Sequence, residues 1–597
     1  MKNLYRLNLY IKKYQSKLIL GVIFVFLSNV FRVLQPQVIR EALDEIVSYI
    51  KAPENLRKPG ELVHHLMLFG LVVLACALLM GLFMYFMRQT IIVMSRLIEY
   101  DQRKDIFAHY LKLDISFYKK NKTGDILSRI SEDVNKVRMY LGPAFLYGFN
   151  LISLFIVVIF TMFKVNFWLS IYTLLPLPLL SIIIYKVSNL INKRSAKIQK
   201  QLAKITSIAQ EAYSGIRIIK SFSTGRHWEN YFDEETKKHK ALNLQLAQVD
   251  SMFFPAMFLL VGISTLITIY IGGLSVFEGQ VTAGNIAEFV IYITMLTWPV
   301  SAIGWCASIV QQAEASQSRI NEFLAIEPDI KDNLNSIHRI EKYDLEYHHV
   351  NFSYPENNVV ALKNINLKIP HHSKIAILGK TASGKSSLVE LLLRMYDPTQ
   401  GEILLGGVNL KNISLRTLRN KIAYVPQDIF LFSDSIKNNI LFGTESDREA
   451  ELHERMKWSS KVAAVDLEIE SFSDQYESIL GERGVTLSGG QKQRISIARA
   501  LVKDAEIVIL DDCLSAVDTL TEEQIFSELM PMLENKTLIL ITHRISQTRY
   551  MDKIIVMDKN EIVEFGSYDQ LLEQEGIFTK MHHIETDGKS KIQSILN

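Results

Sequence analysis

The stretch Gly379-Lys380-Thr381-Ala382-Ser383-Gly384-Lys385-Ser386 decides the reading of this chain. It fits the phosphate-binding pattern of two glycines with four residues between them, followed by Lys and a hydroxyl residue. Its flanks agree. The apolar run Lys374-Ile375-Ala376-Ile377-Leu378 precedes it and reads as a strand. A helix is predicted from Ser387 to Arg394. In such a strand–loop–helix the glycines let backbone N–H groups wrap the phosphates of a nucleotide. Lys385 reaches the β and γ phosphates, and Ser386 holds Mg²⁺.

Two more elements lie downstream. Ile507-Val508-Ile509-Leu510-Asp511-Asp512 is a continuous apolar run ending in acid, which reads as a buried parallel strand. Its end delivers a carboxylate beside the phosphate loop, with Asp511 the natural Mg²⁺ partner. Leu487-Ser488-Gly489-Gly490-Gln491 then opens a helix predicted from Lys492 to Leu501. Ser-Gly-Gly at a helix start is a second anion site. One loop already holds the phosphates, so the second site needs another ligand. Two chains facing head to tail would supply it, each signature helix capping the nucleotide on the other.

Upstream the composition changes. The chain has 597 residues, 48% of them hydrophobic, 22% charged, with a mean hydropathy of +0.13. That average blends a very apolar first half with an ordinary second half. The net charge of +3 gives no case for nucleic acid. Cys76, Cys306 and Cys513 are too scattered for a metal or disulfide framework. The basic N-terminus leads into a long apolar run with no small-residue cleavage site, so it is read as a retained first span.

Crossing a bilayer takes about 20 apolar residues. Six runs qualify: Leu18 to Leu34, Leu66 to Met87, Phe145 to Phe163, Phe167 to Leu190, Phe253 to Val276 and Ile286 to Val310. Lys164-Val165-Asn166 is a tight turn between the third and fourth. Basic residues set the orientation. The N-terminal segment and the stretches Arg96 to Arg138 and Lys186 to Lys240 are basic and belong in the cytoplasm. Val276 to Asn285 carries no Lys or Arg and faces outward. The two long basic segments have helical apolar spacing. They predict membrane helices that overrun the bilayer and turn in short helices at Thr123 to Arg129 and Glu211 to Arg217. Glu288, at the start of the sixth span, is a candidate for lining a substrate path; Arg32 and Arg88 sit near span ends and can snorkel. Pro176, Pro178 and Pro299 are expected to kink their helices, and Phe253, Phe254, Trp298 and Trp305 serve either packing or an apolar substrate.

With the phosphate loop, Leu487 to Gln491 and the Asp511 strand in this order and spacing, the chain resembles the ATP-binding cassette family, and its first half resembles the type I exporters (also called type IV transporters). The resemblance implies a multidomain fold: an all-α six-helix membrane domain over residues 1–325, a linker over 326–340, and an α/β P-loop cassette over 341–597. It places Tyr354 as the adenine-stacking aromatic, Gln427 as the Q-loop glutamine near Mg²⁺ and γ-phosphate, Ser515 to Asp518 as the D-loop, and His543 as the switch histidine. Thr381, Ala382, Ser383 and Ser387 complete the nucleotide contacts, and Glu482 lies in the segment facing the membrane helices. The implied cofactors are ATP and Mg²⁺. The implied partners are a second half-transporter, the lipid bilayer, and a drug-like or lipid substrate in a prokaryotic inner or plasma membrane. Peptide export and an ATP-gated channel or regulator are the alternatives. One departure stands out. The family usually has Glu after the strand-end Asp, to polarise the attacking water. Here the residue is Asp512. Its carboxylate falls about 1 Å short, a displacement that can cost of order a hundredfold. The resemblance then points to the weak-site subunit of a heterodimer.

Overall fold

The computed structural model describes residues 3–333, 335–444, 449–481, 484 and 487–585. Two compact units emerge. One comprises Met1–Leu111 and Gly124–Ile326; the other comprises Lys112–Thr123 and Glu327–Asn597.

The first unit is helical. Its long elements are α1 (Gln15–Lys51) and α2 (Pro59–Tyr110). After the short helix α3 (Ile115–Lys120), which belongs to the second unit, come α4 (Phe145–Val165), α5 (Pro176–Ser214), α6 (Gly225–Asp250), α7 (Phe253–Phe277) and α8 (Ala283–Leu324). At about 1.5 Å per residue, α2 runs about 78 Å and α8 about 63 Å, far beyond a bilayer core of about 30 Å. The overrun expected from sequence is therefore present. Five helical stretches among the described residues are long and apolar enough to span: Gln15–Lys51, Pro59–Tyr110, Thr123–Val165, Gly225–Phe277 and Ala283–Leu324. The fourth expected span falls on a helix over Phe167–Leu174 followed by α5. Pro176 has no N–H to continue the ladder, so one helix ends and the next begins there.

Helical periodicity sorts the faces of α2. Leu71, Leu74, Leu78 and Leu82 recur every three or four residues and are exposed, an apolar stripe that belongs in lipid. Further along, Met87, Ile91, Met94 and Ile98 turn inward and are buried. Gly21 of α1 makes that packing possible, because a Cβ there would lie 2.4 Å from Ile91 Cγ1. The turn between the third and fourth spans narrows to Asn166, whose side chain accepts the Leu169 N–H at 2.9 Å. Glu288 is fully buried. It accepts from Tyr292 Oη at 2.8 Å and pairs with Arg40 of α1 at 3.4 Å. It is a satisfied interior carboxylate, tying α8 to α1 in this conformation.

The short helices differ from expectation. The first turn helix lies at Ile115–Lys120, upstream of the expected Thr123 to Arg129. Asp114 caps it by accepting the Phe117 N–H, and it sits in the second unit. Thr123–Ser128 is helical too, but Asp125 pairs there with Arg129 and Arg319 inside the first unit. The second turn helix is Ile216–Ser221, overlapping the expected Glu211 to Arg217 only at its start; α5 continues to Ser214 and Gly215 ends it. At the second turn apolar spacing carries through Ala212, Tyr213, Ile216 and Ile219, so it does not mark where α5 stops.

The second unit carries two sheets. One holds β1 (Leu345–Ser353), β2 (Val360–Ile369), β4 (Gln400–Leu405) and β5 (Val408–Asn409) in the order β2-β1-β4-β5, all antiparallel. The other runs β10-β9-β3-β8-β7-β6, with β3 (Lys374–Gly379), β6 (Ile422–Val425), β7 (Ile507–Asp511), β8 (Thr537–Ile541), β9 (Lys553–Asp558) and β10 (Glu561–Gly566). β6, β7, β8, β3 and β9 are parallel, and all five residues of β7 and of β8 are buried. A parallel sheet presents its ligand site at the carboxyl ends of its strands. Those ends lead into the phosphate loop after β3, Gln427 after β6, Asp511 and Asp512 at β7, and His543 after β8.

Candidate active site

β3 ends at Gly379, and the loop it feeds turns into α9 (Lys385–Leu392). Gly384, at φ +97°, has no alternative. A Cβ would lie 2.4 Å from the Ala361 carbonyl in a backbone region disfavoured for side chains. Lys385 folds toward its own loop. Its ammonium donates to the carbonyls of Gly379 at 2.8 Å and Lys380 at 2.9 Å. A cation held on neutral carbonyls is ready to exchange them for phosphate oxygens.

The sheet gathers the predicted residues into one cleft of about 160 Å³. Thr381, Ala382, Ser383, Gly384, Lys385, Ser386 and Ser387 line it from the loop side. Gln427, Asp511, Asp512, Ile541 and His543 line it from the strand ends. Asp511 is buried, and Tyr424 Oη donates to it at 3.4 Å. Burial pushes the Asp511 carboxyl above its usual range, against hydrogen bonds from Ser386 and Tyr424. Burial also pushes the Lys385 ammonium down, opposed by Asp511 and Asp512. His543 is held below its usual range, first by burial and then by the Lys385 charge, so its imidazole is neutral at pH 7. Asp512 adopts φ +46°, which Asp tolerates, and its N–H donates to the Ile541 carbonyl at 2.9 Å.

Tyr354 stands apart from the phosphate end. Its ring packs against Phe352 and Tyr396, and its hydroxyl bonds Ser387 Oγ at 2.8 Å and Glu390 Oε2 at 2.9 Å. The aromatic is thereby tied to the helix that follows the phosphate loop.

The signature stretch lies elsewhere. α10 (Gly489–Leu501) starts earlier than expected because Ser488 caps it in a reciprocal box with Gln491. Its serine accepts the Gln491 N–H at 3.2 Å, and Gln491 Oε1 accepts the Ser488 N–H at 2.9 Å. Leu487 is buried as an anchor, whereas Ser488 and Gly489 are exposed. Among the described residues, none of Leu487 to Gln491 lines the phosphate cleft. Glu482 lies outside the described residues.

Sequence reading missed a polar lattice behind these groups. Gln493 of α10 accepts the Ala516 N–H at 2.9 Å and donates to Ser515 Oγ at 3.0 Å, clamping the signature helix to the loop after β7. Arg544, next to His543, donates to the Ser515 carbonyl at 3.0 Å and pairs with the buried Glu522 of α11 (Thr519–Met532). Their only sequence signal is adjacency to motifs.

A parallel-sheet phosphate-loop ATPase joined to a bundle of overlong apolar helices is a machine for ATP-driven work in a membrane. The known proteins agree. Residues 18–300 match the ABC transporter transmembrane region family, and residues 362–515 match the ABC transporter family. The chain is 32% identical to a probable multidrug resistance ABC transporter ATP-binding/permease protein, YheI of Bacillus subtilis, over 97% of this chain and 96% of that one. It is 32% identical to an ATP-dependent lipid A-core flippase of Syntrophus aciditrophicus, over 87% of this chain and 84% of that protein. The structure of a bacterial Atm1-family ABC exporter with ATP bound has the same fold, with a TM-score of 0.78 at 22% identity over 96% of this chain and 98% of that one. This chain belongs to the ABC transporter family. It is a multi-pass membrane protein that binds ATP and couples its hydrolysis to export.

Proposed function

We propose that the chain is one half of a two-chain exporter that moves small amphipathic molecules or lipids outward across a prokaryotic inner membrane, its cassette in the cytoplasm. The observation that carries this reading is the separation of the phosphate cleft from the exposed signature helix. A nucleotide held by Lys385, with Tyr354 under its base, needs donors that this chain presents elsewhere. A second chain supplies them, and this chain's Ser488 to Gln491 do the same in return.

In that reading Ser386, Gln427 and Asp511 would hold Mg²⁺, which would supply positive charge against the phosphates. The Gly379 to Ser386 backbone cradles the phosphates, the His543 imidazole N–H donates to the γ-phosphate, and Asp512 orients the attacking water. Asp512 makes this site slow, so a heterodimer is favoured, the partner bearing Glu at that position. The relatives named for multidrug resistance and for lipid A-core flipping support an amphipathic substrate. The test is vectorial: proteoliposomes carrying the complex should accumulate an amphipathic dye against its gradient only with Mg·ATP. Downhill flux gated by ATP, without accumulation, would replace the exporter with a channel.

A further inference from the structure

Helix α3 belongs by contact to the ATPase unit, yet it is continuous in sequence with the long helices on either side of it. It is anchored within that unit at Asp114, which accepts the Asp329 N–H at 2.8 Å. At its other end Lys119 enters an aromatic notch. The ammonium lies 4.7 Å from the centroid of the Tyr354 ring, 5.1 Å from that of Tyr396, and 3.9 Å from Glu390. Glu390 also accepts from the Tyr354 hydroxyl. One cation therefore touches the ring and the carboxylate that fix the aromatic.

We infer that Lys119 is a positioning residue for the base of the nucleotide: it pins the Tyr354 ring in its stacking orientation, so that seating of α3 and binding of adenine reinforce each other through one side chain. This rests on the reading of Tyr354 as the adenine platform. The physics is that an ammonium over an aromatic face is attracted by the ring quadrupole, and Glu390 fixes its position. A ring held in place loses less freedom when a base stacks on it. A contact of this kind at a half-exposed site shifts an equilibrium about two- to fivefold.

The experiment is equilibrium dialysis of the full-length protein in lipid nanodiscs with Mg·AMP-PNP, and with Mg·tripolyphosphate as a probe that lacks a base. Lys119→Met should weaken Mg·AMP-PNP about two- to fivefold and leave tripolyphosphate unchanged. Lys119→Arg should restore wild-type affinity, and Lys119→Met should add nothing on a Tyr354→Ala background. Unchanged or tighter AMP-PNP binding in Lys119→Met overturns the inference, as does equal weakening of both probes or an additive effect with Tyr354→Ala. If Tyr354→Ala alone leaves AMP-PNP binding intact, the stacking role itself fails and takes this inference with it.

Discussion

The ATPase unit contains two glycine-rich helix starts, and they are built differently. At the start of α9 the backbone is bent through φ +97° at Gly384, and Lys385, Ser386 and the buried Asp511 converge on the space in front. At the start of α10 the helix closes on itself through the Ser488–Gln491 box, and its tip is exposed. The first is a charged pocket lined by Lys385, Ser386 and Asp511. The second is a preorganised donor surface, and among the described residues Leu487 to Gln491 include no cation. On the proposed two-chain reading, the contrast is that of a chain holding one nucleotide from one side and offering the other kind of surface to a neighbour.

The sharpest way to break the contrast is at its charged member. Lys385→Ala should weaken Mg·ATP binding at this chain's site about tenfold or more and abolish transport, because the nucleotide that holds the two chains closed loses its charged phosphate contact. Retained ATP-dependent transport would remove the phosphate loop from the account. Next comes the donor surface. Ser488→Arg puts a bulky cation where the neighbour's nucleotide should dock. It should leave Mg·ATP binding by this chain unchanged while reducing turnover at least about tenfold, as removal of oxyanion-type donors does. Asp512→Ala should be milder, within about threefold, since a carboxylate already displaced by about 1 Å contributes little.

The smallest effect concerns stability. Burial raises the Asp511 pKa. For an acid whose folded pKa exceeds its unfolded value, stability is lost as pH rises from the unfolded pKa through the folded one. Asp511→Asn should therefore raise the melting temperature of the nucleotide-free ATPase unit by about 2 °C at pH 7, an advantage that disappears below pH 4. Equal melting temperatures at pH 7 would mean that Ser386 and Tyr424 already compensate the buried charge.

Much of the cassette was legible because its signals are local. The strands ending at Gly379, Asp511 and Ile541 are short apolar runs closed by a glycine, an acid or a turn, and the parallel sheet brings their ends together. The α10 start was misjudged by three residues because Ser-Gly-Gly reads as a loop until the capping box with Gln491 is seen. The first turn helix was placed one helix too late because Thr123–Ser128 is itself helical, and only the Asp114 cap marks the earlier start at Ile115. Glu288 shows the limit of one-dimensional reading. Its partners Arg40 and Tyr292 come from α1 and α8, so burial with satisfaction and exposure to a substrate path share the same sequence.

The central claim, that this chain's signature helix works in its neighbour's site while its own site is slow, reduces to a ranking of ATPase rates. The measurement is Mg·ATP turnover by the chain purified alone and by the two-chain complex carrying either Ser488→Arg or Asp512→Ala in this subunit. The account predicts little turnover by the chain alone, severe loss with Ser488→Arg, and only a modest decrease with Asp512→Ala. Full turnover by the chain alone, or a severe effect of Asp512→Ala beside a mild one of Ser488→Arg, would contradict it and make Asp512 the working base of a symmetric dimer.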